Sequence, residues 1–485
     1  MDGKIITPFV KQCFVTSGVA INLAQFGLAL GFTAVLLPQL RAPDSGIAID
    51  ESSESWIAAV PGFALILGNF AVPSIMGKFG RKVASITSIV IVIVGWVFIS
   101  IANSVPLILA ARFLQGISMG MVASLGAILV GEYTSPANRG AFLSVLSLVM
   151  AGGTMTVHTV GSYLRWQTTA MICTTISVVN LVIAIFSPES PSWLADQGRY
   201  DECSRVFHWL RGYKEEDELE KMIEANKIAR QSKTTASRSF WKEIRIKIAE
   251  FRITVRKKHF YKPILIMIHV YTIAEWGGIN VLSPYIIDVA NSLVNKDEIN
   301  VSALIISVDA QRIVMGILTV YLMKVLKRRT ILLSTTILCI IVMICTAGYS
   351  FARTSNSLPF DHPSIPSTLL HLHMFTIAVG SVPISMVVSG EIFPLEFRSL
   401  AGALSALFLS IHFFIVVKTF PFLVREIGLH GAYLIYAGVI IYCTFVCWLY
   451  LPETKDRTLQ EIEEEFTGRP LQIEDVKSAQ SLMTS

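Results

Sequence analysis

Inside a long apolar stretch of this 485-residue chain lies Ala274-Glu275-Trp276-Gly277-Gly278-Ile279-Asn280, with Pro284 close behind. A carboxylate, an indole N–H and a carboxamide together offer acceptors and donors to a hydroxyl-rich or cationic ligand. Two adjacent glycines let the helix that carries them break, and unwound backbone in a membrane is tolerated only where it lines a cavity. Counted from Lys262 at ~1.5 Å per residue, Glu275 falls about 20 Å along the stretch, near the centre of a bilayer. A carboxylate at that depth is either protonated or meets a cation. Glu275 therefore reads as a hydroxyl acceptor, a proton-coupling group or a cation binder, or as the partner of a buried base among His158, His269, His412 and Lys418.

A second set of charges is duplicated. Gly131-Glu132 is followed by Pro136, Arg139 and Gly140, and Gly390-Glu391 by Pro394 and Arg398, so a Glu stands seven positions before an Arg in each copy. Pro188-Glu189-Ser190 and Pro452-Glu453-Thr454 echo one another as well, and Arg81-Lys82 and Arg328-Arg329 stand on adjoining loops. Joined across two halves of the molecule, such sets would form a seal that makes and breaks. Exposed pairs contribute only about 0–1 kcal/mol each, so what counts is their difference between states. Arg112 is a separate case: within a membrane segment it costs at least ~2.5 kcal/mol, which predicts a polar cavity or carboxylate beside it, or snorkelling to the interface. Asp309 and Arg312, one helical turn apart, read most simply as neutralising each other.

Nothing points to catalysis. There is no Gly-x-x-x-x-Gly-Lys-Ser/Thr loop, and the seven cysteines lie mostly in apolar runs without ligand spacing, so neither a metal nor a cofactor nor a disulfide is expected. Hydrophobic residues make up 53% of the chain and charged residues 15%, too apolar for a soluble enzyme of this size. The net charge of +5 does not suggest nucleic acid as a partner, because the basic residues are sorted by membrane side.

The elements that must position these groups are apolar runs long enough to cross a hydrocarbon core of roughly 30 Å. They fall near 15–40, 55–76, 83–102, 106–131, 139–163 and 168–187, then 261–290, 301–325, 330–350, 369–393, 399–424 and 431–452. No cleavable signal peptide is expected before the first. The reading is an all-α membrane protein of twelve transmembrane helices in two pseudo-symmetric halves. Residues 1–189 form the first half and 261–452 the second. Residues 190–260 form a linker with short amphipathic helices, its basic end either a solvated face that obeys the orientation rule or one that lies against anionic lipid headgroups, and 453–485 form a tail. With both termini in the cytoplasm, about 32 of the 40 Lys and Arg lie on the inner side and about 5 outside, as the positive-inside rule asks. The one Asn-x-Ser/Thr sequon, at Asn300, then lies outside as a candidate glycosylation site. Gly116 and Gly120 form a smooth stripe for close helix packing.

These motifs resemble those of the sugar porter branch of the major facilitator superfamily. Gly77-Lys78-Phe79-Gly80-Arg81-Lys82 resembles its Gly-Arg-Lys turn. Arg112 with Gly116 and Gly120 resembles its helix-four element, and Pro188-Glu189-Ser190-Pro191-Ser192-Trp193-Leu194 its mid-chain signature. Glu391-Ile392-Phe393-Pro394 with Arg398, and Pro452-Glu453-Thr454-Lys455-Asp456-Arg457-Thr458-Leu459, match the second half. Gly27 to Leu40 and Ile415 to Pro421 are similar to insect trehalose and hexose facilitators. The resemblance implies the major facilitator fold, a multi-pass plasma-membrane carrier, and facilitated sugar transport by alternating access, with oligomeric state left open. It implies substrate contacts at Glu275, Trp276, Asn280 and Gln311, where the family's two glutamines have become Ala274 and Glu275. Ser147 stands at the family's helix-five Gln, Met386 at its stacking Trp, and Leu409 and Ser410 near its Asn-Trp pair. Thr33 stands where proton-coupled members carry an acid. These departures leave two alternatives: a carrier for another polyol or an organic cation, or a sugar sensor that does not transport.

Overall fold

The computed structural model describes residues 7–213, 215–233, 257–294, 299–358, 360–393, 398–457 and 459–467. Residues 234–256, which hold most of the linker's basic end, lie outside them, as does Pro394.

Six helices come first: α1 (Pro8–Arg41), α2 (Glu51–Phe79), α3 (Arg81–Ser100), α4 (Val105–Tyr133), α5 (Pro136–Tyr163) and α6 (Trp166–Phe186). Three short ones follow, α7 (Pro191–Asp196), α8 (Tyr200–Arg211) and α9 (Glu216–Lys233). Prolines sit in the first turns of α4, α5 and α7, where a missing N–H costs nothing. The second set opens with α10 (Lys258–Ala274), a π turn (Glu275–Ile279) and α11 (Asn280–Leu293), which together make one crossing. Then come α12 (Val301–Val325) and α13 (Arg328–Thr354). Another interrupted crossing follows: α14 (Ser364–Thr376), a π turn (Ile377–Ser381) and α15 (Val382–Glu391). The chain ends in α16 (Arg398–Tyr450) and α17 (Leu459–Thr467).

Among the described residues eleven apolar helical stretches are long enough to cross a membrane, the longest covering 51 residues of α16. At ~1.5 Å per residue that stretch would run about 75 Å, more than twice a hydrocarbon core. Gly428 breaks it, at φ 73° and ψ 169°, a conformation that favours glycine. It therefore crosses twice, giving the twelve passes expected, with one helical run where the sequence predicts two helices and a loop. Twelve passes put both chain ends on one face of the membrane, here termed the terminal side.

Helix α4 meets α2 backbone to backbone. A Cβ at Gly116 would lie 2.4 Å from the Pro61 carbonyl oxygen, and one at Gly120 would lie 2.1 Å from that of Leu65. The glycine stripe is thus a packing surface.

The apolar core is organised unequally. Towards the side opposite the termini one cluster joins both halves, with Leu36, Leu40 and Ile57 of the first set packed with Tyr285, Val289, Val416 and Phe420 of the second. Towards the terminal side the core divides. One cluster (Val15, Val72, Leu125, Leu129, Tyr133) belongs to the first half and another (Phe260, Ile264, Val388, Ile392, Leu451, Phe466) to the second. The linker helices hold a small core of their own around Trp193, Cys203, Phe207 and Leu219. The halves thus share one apolar core on one side of the membrane and hold separate cores on the other.

Candidate substrate site and gates

The break anticipated from Gly277-Gly278 is present. Gly278 has φ 112°, closed to other residues, and a Cβ there would sit 2.7 Å from His373 Nε2. Glu275 and Asn280, both buried, face each other across the turn, and the Asn280 side-chain amide donates to the Glu275 carboxylate. None of the bases proposed as partners reaches that carboxylate. The His269 ring N–H donates to the Leu265 carbonyl at 2.7 Å, and His412 is held between Phe408 and Thr272. Lys418 Nζ donates to Ser55 Oγ at 2.6 Å, and His158 pairs with Asp309. A residue five positions along the same broken helix wins because the turn itself brings it there.

Beside this pair Trp276 packs its ring 4.7 Å from that of Tyr436, while its indole Nε1 is buried without a hydrogen-bond partner. Ser381 Oγ, at the π turn of the other interrupted crossing, and Tyr433 OH are likewise buried and unpartnered. Orphaned donors of this kind carry a desolvation cost of about 1–3 kcal/mol each, which a hydroxylated ligand or water would relieve. Gln311 is engaged at both ends of its amide by His371 of α14. Ser147 on α5 and Met386 on α15 are exposed. The structure gathers Glu275, Trp276 and Asn280 at the break, while the hydrogen bonds of Gln311 go to His371.

The duplicated charges form two matching clusters on the terminal side. In the first half, Glu189 accepts the backbone N–H groups of Arg81 (2.9 Å) and Lys82 (3.1 Å), while the Arg81 guanidinium pairs with Glu132 at 2.9 Å. In the second, Glu453 accepts the backbone N–H groups of Arg328 (3.0 Å) and Arg329 (3.1 Å), while Arg328 pairs with Glu391 at 3.5 Å. Lys82 Nζ donates to the Ile185 carbonyl, and Arg329 donates to that of Trp448. Each carboxylate thus caps a helix N-terminus, where the macrodipole favours negative charge. Burial pushes the Glu189 carboxyl up, against the pull of the N–H groups of Ser190, Lys82 and Arg81. The sequence reading joins these charges across the halves; the structure pairs them within each half. Arg139 is half-buried, with its Nε unpartnered, and Arg398 opens α16, its side chain outside the described residues. Asn300 caps α12, accepting from the Ala303 N–H at 3.1 Å.

Bridges between the halves lie elsewhere. On the side opposite the termini Arg41 reaches both Glu54 and Asp288 at 2.7 Å, and Arg425 pairs with Glu51. Lys418 lies 4.1 Å above the Trp56 ring. Arg41, Glu51, Glu54, Asp288, Lys418 and Arg425 line a cavity of about 960 Å³. Deeper, His158 Nδ1 meets Asp309 Oδ2 at 2.6 Å and His158 Nε2 meets the Ser283 carbonyl at 3.1 Å, all buried. Asp309 thus takes His158 across the interface, and among the described residues Arg312 forms no ion pair with it; Arg312 donates instead to Ser283 Oγ at 3.5 Å. Among the described residues Arg112 meets no carboxylate, and it does not snorkel. It donates to the carbonyls of Ile57 (3.2 Å) and Ala29 (2.8 Å), to Gln115 Oε1 (2.7 Å) and to Thr33 Oγ1 (2.6 Å). Four acceptors within the first half hold it at 1% exposure. Sequence reading missed the lattice of Glu51, Glu54, Asp288 and Arg425 because loop-end charges carry no spacing signal. It also missed His373, although an intramembrane histidine is itself such a signal.

Two six-helix halves, a polar broken helix at mid-membrane and a seal on one face define a multi-pass carrier of the major facilitator fold. The chain belongs to the family described as "Sugar (and other) transporter", whose model matches residues 15–466. It is 23% identical over 476 residues to the facilitated trehalose transporter Tret1 of Culex quinquefasciatus, covering 97% of this chain and 89% of that one. It is 24% identical over 493 residues to Tret1 of Drosophila yakuba, covering 99% of this chain but only 56% of that longer one. The xylose transporter XylE from E. coli, in an inward open conformation, superposes with a TM-score of 0.73 at 18% identity, covering 93% of this chain and 99% of that one.

Proposed function

We propose that this protein is a facilitative carrier for a sugar, trehalose or a hexose, working by alternating access in the plasma membrane with both termini cytoplasmic. In that reading 1–189 and 261–452 are the moving halves, 190–260 is a cytoplasmic linker and 453–485 a cytoplasmic tail. One observation carries it: an apolar core continuous between the halves on one side of a polar, broken helix and divided on the other. With the termini inside, the molecule is sealed outward and parted inward.

The residues suit a neutral hydroxylated substrate. Asn280 and Glu275 supply donor and acceptor at the break, and Trp276 and Ser381 present unused hydrogen-bonding atoms. Release inward follows the divided core. Return requires the outer lattice (Arg41 with Asp288, Arg425 with Glu51) and the buried His158–Asp309 contact to separate, while the charges capped within each half come together at the inner ends. Separated outer charges hydrate, so the exchange is close to balanced. Thr33 gives Arg112 a neutral partner where proton-coupled members carry an acid, which favours movement down the sugar gradient alone.

Radiolabelled uptake of trehalose, glucose, fructose and an organic cation in a transport-null host tests this. Saturable, non-concentrative uptake of at least one sugar is expected, unchanged between about pH 5.5 and about pH 8. No uptake of any sugar, at normal surface expression, would refute it. A second reading, an organic-cation carrier, is favoured by Glu275 alone, a buried carboxylate whose bonded partner is the neutral Asn280. Cation uptake lost in Glu275→Gln would establish that reading instead.

A further inference from the structure

We propose that His373 is a positioning residue for substrate binding: from α14 it pins the unwound carbonyl of Gly277 and so fixes where Glu275, Trp276 and Asn280 stand. The inference rests on the sugar-carrier reading above and concerns the same site.

A backbone that leaves helical geometry at Gly278 must find a partner for any carbonyl it strands within the membrane. His373 donates its Nε2–H to the Gly277 oxygen at 2.8 Å, and Cys339 of α13 donates its Sγ–H to the same oxygen at 3.5 Å. Both side chains are buried. The fit is close: Gly278 passes so near the imidazole that a single Cβ would touch Nε2, and the ring packs edge-on with that of Tyr433 of α16, centroids 5.7 Å apart. The imidazole is thus wedged between the break and the packed interior of the second half. Cys339, Tyr433 and the break lie within one apolar cluster, so the pin bears on a rigid scaffold.

From Gly277, the chain reaches Glu275 two residues back and Asn280 three residues on, and both have their side chains turned to each other across the loop that the pinned carbonyl belongs to. Without the Nε2–H donor the carbonyl keeps only the weak Sγ–H donor of Cys339 at 3.5 Å, and the loop relieves it by rotating the peptide. Such a rotation moves the Glu275–Asn280 pair together with the Trp276 indole. His373 Nδ1 is left without a partner and takes no part in the pin.

The test is a double-mutant cycle on uptake of whichever sugar the unmodified chain carries. His373→Leu is expected to raise KM about ten-fold with little change in maximal rate, the size of effect given by a lost buried hydrogen bond. His373→Gln, which keeps an N–H donor, should recover most of it. In an Asn280→Ala background, His373→Leu should add less than about two-fold, because residues acting through one another are not additive. Equal fold-changes in both backgrounds would overturn the proposal, since a general packing defect is blind to Asn280. A wild-type KM in His373→Leu would overturn it too. If His373→Leu does not reach the surface, His373→Asn, whose shorter amide reaches less far, replaces it with the same expectations. An unmodified chain that carries no sugar refutes the function and this inference together, whereas an additive cycle in an active carrier refutes the pin alone.

Discussion

Arg112 shows how far a single side chain is determined by its acceptors. Its guanidinium is spent on two carbonyls of α1 and α2, on Gln115 one turn along its own helix, and on Thr33. That set ties three helices of the first half to one point, without an opposite charge. Arg112→Ala would strand the Ile57 carbonyl, which has no amide four residues on because that position is Pro61, at about 1–3 kcal/mol. We expect a steep fall in folded protein at the membrane, read by fluorescence-detected chromatography at rising temperature. Arg112→Lys, a compact cation without the planar fork, should fall between the two. An unchanged melting profile for Arg112→Ala would show that the four bonds contribute nothing net. Residue chemistry was only partly legible in the sequence. That Arg112 needed polar company followed from its depth, but backbone carbonyls on two other helices leave no trace in a linear pattern. Glu275 stands out for the same reason, but which group bonds it depends on the turn at Gly278, and Asn280 takes the place that one of four bases could have filled.

At the scale of elements, α5, α11 and α12 meet at the buried pair His158–Asp309 and the Ser283 carbonyl. The pair joins the halves near the side opposite the termini, so it can exist only while that side is closed. Removing it should favour the opposite conformation. Asp309→Asn weakens a hydrogen bond to a charged group, a term of about 1.5–3 kcal/mol, and should shift the equilibrium ten- to hundred-fold towards outward opening. The measure is labelling of a cysteine at Ser55 by an impermeant maleimide, which should quicken in the variant. Equal or slower labelling would mean that the pair is not a latch. The helices themselves were plain from apolar run length, and the break in the seventh crossing from Gly277-Gly278. The π turn at Ile377–Ser381, which keeps helical backbone angles, was not, because its single Gly380 leaves no paired-glycine signal. The missing loop between the last two crossings has a similar origin: one glycine, Gly428, turns the chain where a polar loop was expected.

For the whole molecule, the duplicated Glu and Arg spacing foretold two halves, and the structure gives each half a self-contained charge cluster on the terminal side. Which charges pair in a given conformation is beyond any spacing rule, because both states use the same residues. The sealed side depends on residues scattered through the chain, Arg41, Glu51, Asp288, Lys418 and Arg425, that only folding brings together. The account stands on that seal having to open in every cycle. The most direct measurement replaces the seven native cysteines, introduces Ser55→Cys and Lys418→Cys across the halves, and follows sugar uptake before and after joining them with a short bis-thiosulfonate. Uptake should fall in proportion to crosslinking and return on reduction. Full uptake through completely crosslinked protein would contradict alternating access by these two halves.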